Sequence, residues 1–330
     1  HLDSDPDANE EMLMLRDIAL RHPNVPVTFS LQENIQARHS REKYMEMLGW
    51  LEEASAKGAE CYAQVSSKAV SFLMSLRSQV NPFIWHPTFQ AIRKAAKTHE
   101  ELVSLLRQPE VRARLVAEHD SVVSRSERKP DGSKDLILNF RNKFAWRADY
   151  EPDLDTDSID ALARREGRHA AEVALDVLLA DGGEGVLVNF LTNYAWGSLE
   201  TTKAMMKHPQ VVLGLGDGGA HAGFLTDAAN CTFLLSHWAR DRSRGSGGLP
   251  LELLVRKQTS ETARLFGMRD RGTLEAGMKA DLKSSTSTPC AWSGQESSRT
   301  CPSAPSAGSR TSVATSSRCS PASSPSRAAG

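Results

Sequence analysis

The sequence lacks a long apolar segment, a surplus of charge of either sign and an N-terminal signal. No apolar run approaches the roughly 20 residues that a membrane-spanning helix needs, and the first residues are acidic and helix-like. The 40 Lys and Arg residues nearly balance the 41 Asp and Glu residues, which gives no electrostatic reason to bind nucleic acid or an anionic membrane. We therefore expect a cytoplasmic globular protein without nucleic-acid or membrane partners, and the oligomeric state is left open.

Cysteine is scarce where it could carry chemistry. Three of the five cysteines, Cys290, Cys301 and Cys319, lie in a C-terminal stretch rich in Ser, Thr and Pro. The other two, Cys61 and Cys231, each stand alone in an apolar setting. An isolated cysteine of this kind is more often a small buried apolar residue than a ligand or a nucleophile. The sequence predicts no disulfide framework.

The chain does contain a repeated alternation of strand and helix patterns. Apolar runs rich in β-branched residues at 25–31, 59–65, 185–191 and 211–216 predict buried strands, and amphipathic patterns between them predict helices. Residues 81–150 interrupt the rhythm with one amphipathic helix in a charged stretch, an insertion that is either a lid or a surface excursion. The alternation favours part of a (β/α) barrel with parallel strands; a doubly wound sheet is the alternative.

The composition changes abruptly after Lys283. Residues 284–330 consist mainly of Ser, Thr, Pro, Ala and Arg, which is typical of a disordered segment. A sharper interpretation is a reading-frame change, because GC-rich codons for residues 285–291, shifted by one nucleotide, encode the strand-like Val-Asp-Leu-Asp-Ala-Leu-Arg. We predict an out-of-frame tail, and a stop codon soon after the shift would contradict it. His1 in place of Met suggests that the chain is a fragment or a processed product.

The strongest chemical motif lies in residues 213–221, where a buried strand leads directly into Asp217. A carboxylate at the C-terminal end of a barrel strand lies where barrel enzymes build their active sites. Gly218 and Gly219 leave room for a substrate or a metal-bound water, so Asp217 is a candidate general base. A tight turn in which Asp217 caps the next helix explains the pattern equally well. His221 is a candidate substrate contact, or an ordinary polar residue near a helix start.

Other polar residues are weaker candidates. Asn193 and Tyr194 end the preceding strand and are expected to line a substrate pocket, with packing of Tyr194 as the equal alternative. His237, beside Trp238, is interpreted as packed or ion-paired, and His86 as reaching over a pocket from the insertion. The remaining histidines are interpreted as solvated or turn residues: His22, His39, His99, His119, His169 and His208.

Four segments together resemble the closing region of amidohydrolases of the N-acyl-D-amino-acid deacylase (D-aminoacylase) kind. They are GDGGAHAG at 216–223, SHWARDR at 236–242, TSETARLFG at 259–267 and RGTLEAGMKADL at 271–282. The similarity extends, less specifically, over about residues 1–283. It implies an α/β fold, a partial metal-dependent-hydrolase (β/α)8 TIM barrel over residues 1–270 with the insertion at about 81–150. Residues 271–283 would begin the return strand of a flanking β-sandwich, and residues 284–330 would be the tail.

The resemblance also implies a chemistry. It is hydrolysis of an amide bond in a small N-acylated substrate by zinc-activated water, with Asp217 as proton shuttle and weak zinc ligand. His1 corresponds to a further zinc ligand of the family, whereas other ligands would precede residue 1 or fall near Ser30, where this sequence has no histidine. We therefore expect an incomplete zinc site and an inactive chain. The alternative is a non-catalytic or metal-poor relative that binds a small molecule.

Overall fold

The computed structural model describes residues 8–33, 41–127, 136–147, 149–214, 229–279 and 281. The strands are β1 (Val27–Ser30), β2 (Cys61–Val65), β3 (Val70–Met74), β4 (Lys143–Ala145), β5 (Leu187–Thr192) and β6 (Val211–Leu213). The helices up to β6 are α1 (Ala8–Arg21), α2 (Arg41–Ala56), α3 (Pro87–Ala95), α4 (His99–Leu106), α5 (Pro109–Glu127), α6 (Ile159–Glu166), α7 (Ala170–Gly183) and α8 (Glu200–Lys207).

One of the two sheets is parallel and has the strand order β1-β2-β6. Val27 pairs with Cys61, and Ala63 pairs with Val211. The helix α2 connects β1 to β2 and ends before Gly58, whose φ of 86° suits a residue without a side chain. The predicted parallel strands are confirmed here. Cys61 is buried in β2, and burial raises the pKa of its thiol to about 11, as expected for an apolar core position.

A second sheet, of order β3-β5-β4, is antiparallel and departs from the predicted alternation. The predicted strand at 185–191 exists as β5, but it runs antiparallel to β3 and β4 instead of parallel. The strands β3 and β4 are absent from the sequence prediction. Only four residues, 66–69, separate β2 from β3. The sequence therefore has no helical pattern between the two strands that would indicate where β3 begins. The part of the chain that the structure describes is thus two open sheets, with no closed barrel.

The described residues of the insertion at 81–150 include the helices α3, α4 and α5 and the strand β4, where the sequence predicts one helix. Residues that favour the start of a helix divide this segment into separate helices. Pro87 and Pro109 occupy the first turns of α3 and α5, where a missing N–H costs little. Thr98 caps α4, because its hydroxyl accepts a hydrogen bond of 3.1 Å from the backbone N–H of Glu101. Each signal begins a new helix, so the prediction of a single helix was wrong.

Two hydrophobic clusters fill the fold. The first lies between the parallel sheet and the helices α1, α2 and α8. The second joins α3 to α7 and lies against β3 and β5. The strand β5 supplies Leu187 to the second cluster and Val188 and Phe190 to the first. The antiparallel sheet therefore borders both clusters, and the insertion provides a large part of the second.

Two helical stretches lie between residues 229 and 265. A short helix, Asn230–Phe233, continues as a π-helix over Leu234–Asp241, which confirms the helix predicted in this region. A second helical stretch runs from Leu251 to Leu265 and is followed by Gly267 with φ 69°, as predicted. Residues 271–279 form turns, and the sandwich strand expected at 271–283 stays a prediction. Within the described residues, no helix has the length and apolarity to span a bilayer.

Candidate functional site

Asn193 joins the ends of three strands. Its backbone N–H donates to the carbonyl of Glu33 at 2.6 Å, and its Oδ1 accepts from the backbone N–H of Glu33 at 2.9 Å. Its Nδ2 donates to the carbonyls of Ser66 and Lys68 at 3.2 and 3.4 Å. Asn193 has φ 63°, a left-handed conformation that asparagine tolerates better than most residues. One fully buried amide therefore fixes the residues that follow β1, β2 and β5 relative to one another.

Ser66 and Ser67 attach the 230–241 helix to the end of β2. The hydroxyl of Ser67 donates to Oδ1 of Asn230 at 3.0 Å, and Nδ2 of Asn230 donates to the hydroxyl of Ser66 at 3.3 Å. Farther along the helix, the indole N–H of Trp238 donates to the carbonyl of Ser67 at 2.6 Å. All four side chains are buried. The contacts fix the start of this helix against the carboxyl end of β2.

Five of the predicted site residues lie outside the described part of the chain: Asp217, Gly218, Gly219, His221 and His1. The described residues on either side of the motif still locate its two ends. The N–H of Gly214 donates to the carbonyl of Val65 at 3.1 Å, and Asn230 binds Ser66 and Ser67. The chain therefore enters and leaves residues 215–228 at the carboxyl end of β2.

Tyr194 is held inside the fold. Its side chain is buried, and its hydroxyl donates to the carbonyl of Pro152 at 2.8 Å. Its ring meets that of Phe190 edge to face, with centroids 4.9 Å apart. Burial, followed by the nearby charge of Glu151, raises the pKa of the phenol, so the hydroxyl stays a neutral donor. Asn193 and Tyr194 both lie at the expected end of β5, and their contact with substrate stays a prediction.

A buried ion-pair cluster lies beside these strand ends. Arg242 donates from Nε to Oε1 of Glu151 at 2.7 Å and from Nη2 to Oε2 at 3.0 Å. His237 approaches Oε1 of Glu151 through Nε2 at 3.0 Å, and the backbone N–H of Leu199 donates to Oε2 at 3.4 Å. Burial alone would raise the pKa of Glu151, but the bonds from His237 and Arg242 lower it to about 2. Glu151 is therefore ionised throughout the neutral range.

The ion-pair cluster also closes the loop that follows the π-helix. Arg242 donates from Nη2 to Oε1 of Glu200 at 2.8 Å, and Glu200 accepts from the backbone N–H and the hydroxyl of Ser246. Lys203 donates to the carbonyls of Ser246 and Gly247 at 2.8 Å. The first turns of α8 thereby hold the loop in place.

The ion-pair cluster forms the wall of a cleft of about 270 Å³. Its lining includes Asp149, Tyr150, Glu151, Ser236, His237 and Arg244. The ring of His237 stacks on that of Phe233 with centroids 4.5 Å apart. A π-helix is rare in proteins and recurs at functional sites, and this one presents His237 to a carboxylate. The ion-paired interpretation of His237 is confirmed, whereas sequence reasoning missed Glu151, because no local pattern connects the two residues.

Two other histidines differ from their sequence interpretation. His86 is fully buried and does not reach over a pocket. His119, interpreted as solvated or in a turn, is buried within α5. The two rings contact each other, with Nε2 of His86 3.2 Å from Nδ1 of His119. Aromatic neighbours in the second hydrophobic cluster favour this burial, which the polar sequence around His119 conceals.

The described residues do not make up a metal site. Within the ranges given above, no group of three or more His, Cys, Asp or Glu side chains is arranged to hold a metal ion. A mononuclear catalytic zinc ion needs about three protein ligands. The zinc ligands that the sequence resemblance implies, Asp217 and His1, lie outside these described residues.

The fold and the strand-end residues are those of an α/β protein whose candidate site lies beyond the carboxyl ends of parallel strands. A family model described as the amidohydrolase family matches residues 9–283. The chain therefore belongs to the amidohydrolase family, as the sequence motifs predict. A search of curated proteins gives no match.

The solved structures that match this chain in part are deacylases. A D-aminoacylase studied for its binuclear metal centre shares 17% identity, with 84% of this chain and 44% of that chain covered and a TM-score of 0.40. An N-acyl-D-glutamate deacylase from Bordetella bronchiseptica, bound to zinc and a phosphonate inhibitor, shares 15% identity at the same coverage, with a TM-score of 0.41. A D-aminoacylase mutant with copper shares 16% identity over 82% and 42% of the two chains, with a TM-score of 0.37. The chain spans less than half the length of these proteins.

Proposed function

We propose that the chain supplies part of the active site of a D-aminoacylase-like hydrolase, which cleaves the carbon–nitrogen amide bond of a small N-acylated substrate. The proposal rests on the family match over residues 9–283, because this span contains the whole Asp217 motif. Gly214 and Asn230, the described residues on either side of the motif, lie at the carboxyl end of β2. This position supports the proposal, since barrel enzymes place catalytic residues beyond the carboxyl ends of their strands. A partial (β/α)8 barrel with a sandwich remnant is the architecture we propose with it.

In the proposed reaction, water attacks the carbonyl carbon of the amide and the carbon–nitrogen bond breaks. Asp217 accepts the proton that the water loses and returns it to the departing amine, so the products are a carboxylate and a free amine. Gly218 and Gly219 leave space beside Asp217 for the substrate. His221 contacts the substrate, and Asn193 and Tyr194 support the same pocket from the end of β5. In this family a bound zinc ion would activate the water; its ligands in this chain, Asp217 and His1, stay proposals.

The test compares the product of the complete open reading frame with the 330-residue chain. Each protein is incubated with N-acetyl-D-amino acids and their L enantiomers, and release of free amine is measured. We expect turnover by the complete product and none by the 330-residue chain. Asp217→Asn should lower kcat of the complete product by about 10² to 10⁴-fold, the usual contribution of a general base.

The matched control is Asp155→Asn, which removes the same charge from an exposed loop and should leave kcat unchanged. Equal kcat values for Asp217→Asn and the unsubstituted protein would refute the proposed role of Asp217. Failure of the complete product to hydrolyse any of the compounds, together with their binding in a calorimetric titration, would favour the non-catalytic small-molecule binder instead.

A further inference from the structure

A buried pair of histidines packs against Phe83 and Phe140 of the second hydrophobic cluster. His86 and His119 are 0% and 4% exposed. Nε2 of His86 lies 3.2 Å from Nδ1 of His119, and the ring centroids are 5.3 Å apart. At this distance one nitrogen carries the proton and the other accepts the hydrogen bond. Protonating the acceptor would place two N–H groups against each other, so this contact exists only while the pair carries at most one positive charge.

Burial opposes a second proton on the pair more strongly than the Phe83 carbonyl favours it at His86 or Asp120 favours it at His119. Phe83 packs on His86 with centroids 5.2 Å apart, and Phe140 stacks on His119 at 4.9 Å. The cations Arg125 and Lys143 both oppose further positive charge near the pair.

The acidic groups nearby have other partners. Glu118 accepts from the backbone N–H and the hydroxyl of Thr88, and Asp120 pairs with Nε2 of His169 at 3.2 Å. His169 itself lies edge to face with His119, with ring centroids 5.9 Å apart, and its presence lowers the pKa of His119. Burial lowers the pKa of both His86 and His119 to about 4.

The histidines lie where three helices meet. His86 precedes the first residue of α3, and His119 lies in α5. His169 caps α7, because its Nδ1 accepts from the backbone N–H of Ala171 at 3.1 Å. Repulsion at this point therefore acts on the packing of α3, α5 and α7, all of which belong to the second hydrophobic cluster. The aromatic rings that His86 and His119 contact, Phe83 and Phe140, belong to that second cluster and not to the first.

We propose that the His86–His119 pair is an acid-sensitive latch: when its acceptor nitrogen is protonated, α3 and α5 separate from each other while the parallel sheet and its helices stay folded. The inference is independent of the proposed hydrolase function. It describes a conformational device in the insertion, and loss of catalytic activity would not test it.

Hydrogen exchange followed by mass spectrometry tests the latch, at about pH 7 and about pH 4.5 with rates corrected for the intrinsic effect of pH. Each histidine has a pKa near 6.5 when the structure is open and about 4 when it is buried. Lowering the pH from neutral to 4.5 therefore shifts the equilibrium towards the open state by about 100-fold per histidine. We expect protection of residues 87–127 to fall by at least that factor, and protection of residues 41–65 to change less than 10-fold. Equal loss in both halves, or unchanged protection of residues 87–127, would overturn the proposal.

A variant separates the latch from general acid sensitivity. His119→Gln keeps a hydrogen-bonding side chain that does not titrate, so the acid-induced loss of protection should shrink by about 100-fold. His22→Gln, at an exposed position, is the matched control and should behave like the unsubstituted chain. If His119→Gln fails to fold, NMR titration of the unsubstituted chain still decides. Titration of both imidazoles near pH 6.5, with the fold intact, contradicts the latch.

Discussion

Replacing Glu151 with Gln removes the negative charge from the centre of the ion-pair cluster and keeps its shape. The side chains of Glu151 and Arg242 are 4% and 1% exposed, so the remaining guanidinium would be buried beside a neutral amide. Breaking one partner of a buried ion pair costs about 3–5 kcal/mol. Glu200 still contacts Arg242 and is 29% exposed, so we expect a loss near the lower end, about 3 kcal/mol.

The pKa of Glu151 gives a second route to the same magnitude. A fall from 4.5 to about 2 corresponds to about 3 kcal/mol. Because the folded pKa is lowered, this stabilisation is complete above about pH 4.5 and disappears as the pH falls towards 2. The stability difference between the unsubstituted chain and Glu151→Gln should therefore shrink over that interval.

Urea denaturation followed by tryptophan fluorescence measures the difference at each pH. Glu184→Gln is the matched control, because Glu184 makes a comparable bidentate contact with Arg77 while both side chains are about half exposed. An exposed pair contributes about 0–1 kcal/mol. A loss below 1 kcal/mol for Glu151→Gln, or a loss that does not shrink on acidification, would refute the reasoning.

Two further substitutions test buried polar groups, each by urea denaturation. Burial lowers the pKa of the amine of Lys143 to about 7, so the unsubstituted chain should gain about 1.4 kcal/mol per pH unit over Lys143→Met as the pH rises above 7; a constant difference would contradict this. Tyr194→Phe removes the donor to the buried carbonyl of Pro152 and should cost about 1–3 kcal/mol. Tyr62→Phe, on a half-buried ring, should cost about 0.5 kcal/mol or less, and equal losses would show that the Tyr194 bond contributes nothing specific.

The sequence predicts local elements well where a periodic pattern is long. The parallel strands β1, β2 and β6 and the helices after residue 228 follow apolar runs with clear turn signals. The direction of β5 is not available from its own residues, because an apolar strand pairs equally well either way. Its partners, Phe72 in β3 and Phe144 in β4, lie more than 40 residues away in the chain.

Some residues of the candidate site can be predicted from the sequence, and others cannot. Asn193 and Tyr194 are visible in the sequence because they directly follow a strand. Glu151 is not, since its meaning comes from Arg242 and His237, which reach it from about 90 residues away. The buried histidine pair is hidden for the same reason: His119 lies among polar residues, and only the packing of α3 against α5 brings it to His86 and removes it from water.

The antiparallel sheet determines how well the chain would tolerate deletion of the insertion. Met74 and Leu187 face the cluster that the insertion helices complete, whereas Val188 and Phe190 face the other. Removal of residues 81–150 would strip the cover from one side of β3 and β5, and would also remove the edge strand β4. A shortened chain of this kind would expose apolar surface and an unpaired strand edge, the combination that leads to aggregation. Evolution can therefore vary this segment in sequence more easily than it can delete it.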